Sequence, residues 1–410
     1  SGSTFSGNEA RTGPIFMGTA IDVDGGGIYA TLDSNTATIT STNFNSNISQ
    51  DDGGGIYVAS GATTVTGGTM AGNTARDDGG FAAGDNDTVS AARFMTLSGV
   101  TIQGNTANSD SSGGGDGGGV FRDRGTLNVT NCIVGSAGNP NAAVNGGGIA
   151  HAFRAAVTPS NQATINIDNG SITANNATTD GGGVFINATN QNVGTPSVLN
   201  VGSTTSVSVS ENNSRVHGGG FAVSGGVTDT LTRATFSGND ADSDNNASGD
   251  GGGLYHNNSG GTSAIASTVS FTSNGNGATT TENGGAIHHS NGTLTLNSPG
   301  VSGNDADVQG GGLFVSGGIV NVNGVTFSAN TFPANAAEVR LTGGTTNFSG
   351  TIGIPGELSI AGGTLSAGSS TVNLGEDFHF TSGTFTAGTS SFNFNGSGAQ
   401  KIYGGAVPTF

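Results

Sequence analysis

The feature that most constrains this chain is a pair of marks that alternate along it. One is a glycine run closed by an apolar residue, at Ile28, Ile56, Phe81, Val120, Ile149, Val184, Phe221, Leu254, Ile287 and Leu313. These marks recur with a mean period of about 32 residues, the signature of a repeat architecture rather than of separate globular domains. The other mark is an apolar residue three places before an asparagine. It occurs from Phe5 to Asn8, Phe44 to Asn47, Met70 to Asn73, Ile102 to Asn105 and Ile172 to Asn175. It continues from Val209 to Asn212, Phe236 to Asn239, Phe271 to Asn274, Val301 to Asn304 and Phe327 to Asn330. The coil around Ile133 departs, with Ser136 where the asparagine is expected.

Between glycine run and asparagine lies one more alternating block per repeat, such as Leu127 and Val129 or Leu294 and Leu296. Alternation with β-branched residues is a strand signal, so each repeat supplies three short strands. No single coil has enough core to fold alone. Stacking coils at about 4.8 Å pairs every strand with its neighbours above and below. The expected fold is all-β, a parallel β-helix (β-solenoid), right-handed by the general chirality of such crossovers. Asn47, Asn73, Asn105, Asn175, Asn212, Asn239, Asn274, Asn304 and Asn330 are expected to stack as an amide ladder along one turn. Where the gap between asparagine and glycine run is longest, the added residues are Asp, Ser, Asn and Gly, which reads as a turn that bulges into a surface loop. From about residue 331 the marks stop. LTGGTTNFSG, IAGGTLSAGS and TSGTFTAGTS then recur at a spacing near 20. The expected organisation is therefore residues 1–330 with long coils and residues 331–410 with short ones.

Composition supports this reading and excludes others. Glycine fills 77 of 410 positions, far above ordinary usage, yet apolar residues are 32% and clustered, which a disordered linker would not show. The formal charge is −18 and Lys401 is the single lysine, so the cationic footprint that nucleic acid requires is missing. No stretch approaches the roughly 18 apolar residues of a membrane-spanning helix. Cys132 stands beside Ile133 and Val134 and reads as a buried structural thiol. The chain opens inside a repeat, so it is expected to be part of a longer precursor.

An aspartate immediately precedes the glycine run at Asp24, Asp52, Asp78, Asp116, Asp180 and Asp250. Stacked carboxylates repel by about 1 kcal/mol per pair even in water. Bridging calcium would remove that penalty, since hard oxygen ligands on glycine-rich turns suit it; splayed, solvated side chains would do so as well. His151, His256 and His289 share a place in the repeat and read as a polar ladder, with a transition-metal site as the sharper alternative. After the apolar mark stand Tyr29, Tyr57, Phe121, Phe185, Tyr255 and Phe314. Strand alternation turns these outward as a contact face, unless the glycine turn shifts the phase and packs the rings inside or under a loop. A polysaccharide lyase or hydrolase would need carboxylates and Arg or Lys clustered on one face. The arginines are scattered in sequence, and the chain is read as having no catalytic site.

The glycine mark followed by Ile, Leu or Val, combined with Phe-x-x-Asn, resembles the passenger repeats of the chlamydial polymorphic outer-membrane proteins. Phe-x-x-Asn occurs literally at Phe5, Phe44, Phe236, Phe271 and Phe327, and Gly-Gly-Ala-Ile once, at Gly284 to Ile287. The resemblance covers roughly residues 1–330 and implies a β-helical, surface-exposed segment. The expected function is that of an extracellular or cell-surface structural protein that self-associates head to tail into a filament or layer, because neither end of the sequence shows a cap and exposed strand edges template another chain. The alternative is an adhesin that binds a host surface or glycan through the insertions at 106–116, 240–250 and 275–283.

Overall fold

The computed structural model describes residues 2–10, 24–83, 94–108, 114–152, 163–189, 196–244, 249–275, 283–333 and 336–405, without the side chains of 33 and 34. The chain divides into two compact units, Ser1–Asn213 and Ser214–Phe410. Among the described residues there is no helix, and every strand pairing is parallel. The architecture is a parallel β-solenoid.

In the first unit three columns of strands run along the stack. Ile56 pairs in register with Ile28 and Phe81, and Val120, Ile149 and Val184 follow. These are the glycine-run marks. A second column aligns Ile39, Val65, Leu97, Val129, Ile167 and Val201. A third aligns Phe5, Phe44, Met70, Ile102, Val134, Ile172 and Val209. Residues of the three columns point inward and are almost wholly buried from Phe44 and Ile56 onward. Short pairings after the asparagine, such as Ala142–Ala143 with Asn176–Ala177, add a fourth contact per coil that the repeat marks did not announce.

The asparagine mark is explained by hydrogen-bond satisfaction. Asn73 donates from its backbone N–H and its Nδ2 to Oδ1 of Asn105 at 2.9 and 3.0 Å, and its Nδ2 also donates to the carbonyl of Phe44 at 2.8 Å. The same pattern links Asn8 to Asn47, Asn47 to Asn73, Asn105 to Asn141 and Asn175 to Asn212. The apolar residue must stand three places earlier because its carbonyl, one coil back, receives the second amide hydrogen. Each amide is thus satisfied at full burial, which a buried polar group requires. Contrary to expectation, the coil around Ile133 does not break the ladder. Val134 takes the column place, residues 135–140 bulge out, and Asn141 supplies the rung, donating to Asn175 at 2.9 Å and to the carbonyl of Ile102 at 2.9 Å.

The glycine run has a position-specific cause, clear at Gly53 to Gly55. Gly53 has φ of 68°, in the left-handed region. A Cβ on Gly54 would lie 2.6 Å from the backbone of Thr74 in the next coil, and one on Gly55 would lie 3.1 Å from the Asn73 amide. The turn therefore packs backbone on backbone.

The second unit repeats this plan. Phe221, Leu254, Ile287, Leu313, Val339, Leu358, Phe378 and Ile402 align in one column. Phe236, Phe271, Val301 and Phe327 align in another, with the rings of Phe236 and Phe271 stacked at 4.7 Å. Its asparagine ladder runs from Asn239 through Asn274 and Asn304 to Asn330. There Glu338 ends it: one carboxylate oxygen accepts from Asn330 Nδ2 at 2.8 Å and the other from the N–H of Gly356. Beyond this residue the pairing partners Val339 and Leu358, then Leu358 and Phe378, show the shorter cadence that the sequence displays. That change of gauge lies inside the second unit.

Candidate functional site

The pre-glycine position forms a column, but not one of facing bare carboxylates. Asp24 accepts from the backbone N–H of Asp52 at 3.1 Å, Asp52 from that of Asp78 at 2.8 Å, and Asp78 from that of Asp116 at 2.8 Å. Asp116 accepts from Asn145 Nδ2, whose Oδ1 accepts from the N–H of Asp180. In the second unit Asp250 accepts from Asn283 Nδ2 at 2.8 Å. A carboxylate oxygen held by an amide one coil away has its charge offset by hydrogen bonding, so the aspartates are structural rungs as well as candidate ligands.

Among the described residues, Asp24 and Asp52 are the two of the six whose ligand oxygens gather with a third group, Asp51, within 4.8 Å of one another. Asp51 hydrogen-bonds to Asp77, and Arg76 reaches Asp51 at 3.4 Å and Asp77 at 3.6 Å. Burial, the Asp77 hydrogen bond and the neighbouring carboxylates push the Asp51 carboxyl up to about 8. Three carboxylates of this kind suit a hard dication such as calcium, which would compete with that proton.

The aromatic positions do lie in register with one another, but most are covered. Tyr29 is 56% exposed and stacks on Tyr57, which is 4% exposed; Phe121, Phe185 and Phe314 are buried as well. An open aromatic stripe is therefore not what the structure presents. In the second unit the column becomes mixed: Tyr255, His288, Phe314, Arg340, Ser359, His379 and Tyr403. His217 stacks on Tyr255 at 4.1 Å, and the Asp250 carboxylate lies 3.3 Å from His288 Nδ1 and 3.8 Å from His217 Nδ1. Burial holds His217 below the ordinary imidazole range although Asp250 pulls the other way. In sequence, Asp250 and Asn283 close the second and third insertions. Residues 109–113, 245–248 and 276–282, parts of the three insertions, lie outside the described residues.

Further along, Tyr403 donates to Glu357 at 2.8 Å, His379 Nδ1 lies 3.4 Å from the same carboxylate, and the two rings stack at 4.3 Å. Arg340 donates to Ser359 at 2.9 Å. Sequence reasoning missed this cluster because it treated the arginines as scattered. The signal was present in the short cadence, which puts residues 340, 359 and 379 one coil apart. Of the three histidines that share a place in the repeat, two meet: His256 Nδ1 and His289 Nδ1 are hydrogen-bonded to each other at 2.8 Å. His151 Nδ1 meets the carbonyl of Arg122 at 2.7 Å, and burial pushes it down to about 4. Comparisons with family models, curated proteins and solved structures find no match to this chain.

Proposed function

We propose that this chain is a structural β-solenoid of the cell exterior, which self-associates into a filament or surface layer. The observation that carries the reading is the fully satisfied axial ladder of buried asparagines, which ties coil to coil in each unit without using any group for chemistry. A stack so cross-linked along its axis suits a load-bearing or spacing role. The likeness of its marks to chlamydial passenger repeats supports a surface location, and the net charge of −18 suits neither nucleic acid nor an anionic membrane. Negative-stain electron microscopy of the purified chain tests this. Filaments or sheets are expected, and uniform single particles at every concentration would overturn it.

A second reading, a surface adhesin for a glycan or host surface, is favoured by the outward groups Arg340, Glu357, His379 and Tyr403, and by the His217, Asp250 and Tyr255 group, whose Asp250 ends one insertion in sequence. Removing residues 245–248 and 276–282 should then abolish binding on a glycan array while leaving the thermal transition in place.

A further inference from the structure

Inside the second unit, three successive coils replace apolar core residues with a continuous polar chain. His256 and His289 occupy inward places that Val223 and Val315 fill in the adjoining coils, and Asp229 and Ser263 pair where Leu294 follows. All four polar side chains are wholly or almost wholly buried. Ser263 Oγ donates to Asp229 and also meets His256 Nε2, while Asn258 Nδ2 donates to Asp229 at 3.2 Å. His256 Nδ1 and His289 Nδ1 face each other at 2.8 Å with their rings stacked. We propose that the His289, His256, Ser263 and Asp229 chain is an acid-sensitive lock that holds strands Val227–Ser237, Leu254–Thr272 and Ile287–Asn297 together and releases them on acidification.

The reason is proton counting. A hydrogen bond between two Nδ1 atoms holds one proton, which one ring donates and the other accepts. Asp229, 3.6 Å from His256 Nε2, can balance one imidazolium on this chain. A further proton on the remaining Nδ1 would set two N–H groups against each other, and the second charge would have no counter-ion in a buried site. The strands packed against the pair, Phe221–Gly225 and Leu313–Val315, bring no titratable side chain to it. His288, on the outward side of the same strand as His289, disfavours the added proton further. Burial and His256 push His289 down to about 3, so its contribution to stability is complete above about 6.5 and is lost progressively as the pH falls below that value.

Hydrogen exchange with mass analysis at pH 7 and pH 5, corrected for intrinsic exchange, tests the lock in the intact chain. Protection of 254–272 and 287–297 should fall about tenfold or more, since each pH unit below the unfolded value is worth a factor of ten to a group kept neutral. His151, buried in the first unit with its Nδ1 on the carbonyl of Arg122, gives an internal reference. In His289→Leu the pH dependence at 254–297 should shrink while that at 149–152 persists. If the wild-type chain keeps the same protection of 254–297 at both pH values, the lock does not exist. If His289→Leu folds and retains the full pH dependence there, the response belongs to other groups and the proposal fails equally.

Discussion

Each repeated residue type answers a local requirement that can be tested singly. Asn105 donates to Asn141 and to the carbonyl of Met70 and accepts from Asn73. Asn105→Leu strands at least two buried polar groups, each costing about 1–3 kcal/mol. The variant should lose about 3 kcal/mol in urea unfolding of the first unit. Asn141 provides a sharper test, because it carries no Phe-x-x-Asn spacing. Asn141→Ala should destabilise by about 2 kcal/mol or more, whereas exposed Asn139→Ala, two residues away, should change stability by under about 0.5 kcal/mol. Equal effects would mean that Asn141 is not a rung. Asp51 gives a pH signature. A carboxyl held up near 8 favours the folded state while protonated, so that contribution is complete below about 3.8 and disappears as the pH rises through 8. Asp51→Asn should therefore melt higher than wild type at pH 9, with the difference shrinking toward pH 5. Calcium should narrow the same gap if the three carboxylates hold it.

At the scale of strands and turns, the register was legible in the sequence because each mark has one physical cause per coil. Glycine runs announced one turn, where backbone packs on backbone, and Phe-x-x-Asn announced another, where an amide bridges two coils. Gly54→Ala, which puts a methyl group 2.6 Å from the Thr74 backbone, should consequently cost more than an ordinary helix or strand glycine, about 2 kcal/mol or more by thermal unfolding. What escaped was whatever depended on insertions. The bulge at 135–140 hid the Asn141 rung, because spacing was the only signal used. The aromatic column was visible as a pattern, but its burial depends on what packs over each ring. The Glu357, His379 and Tyr403 cluster was hidden because its members stand in three successive coils and are joined only when the pitch is known. Glu338 was missed for a related reason: it replaces an asparagine rung by a carboxylate that stands eight residues beyond Asn330.

At the scale of the whole molecule, both units place chemistry-bearing groups where they serve the stack first. Buried histidines, amides and carboxylates meet one another from coil to coil, and outward amides form similar ladders, such as Asn128, Asn166 and Asn200. The proposed structural role rests on this coil-to-coil arrangement. Light scattering over a series of protein concentrations at neutral pH tests that reading most directly. A mean mass that rises steadily with concentration is expected as chains add end to end through a heterologous contact whose rotation does not close a ring. A constant mass of 39.8 kDa across the series would contradict it.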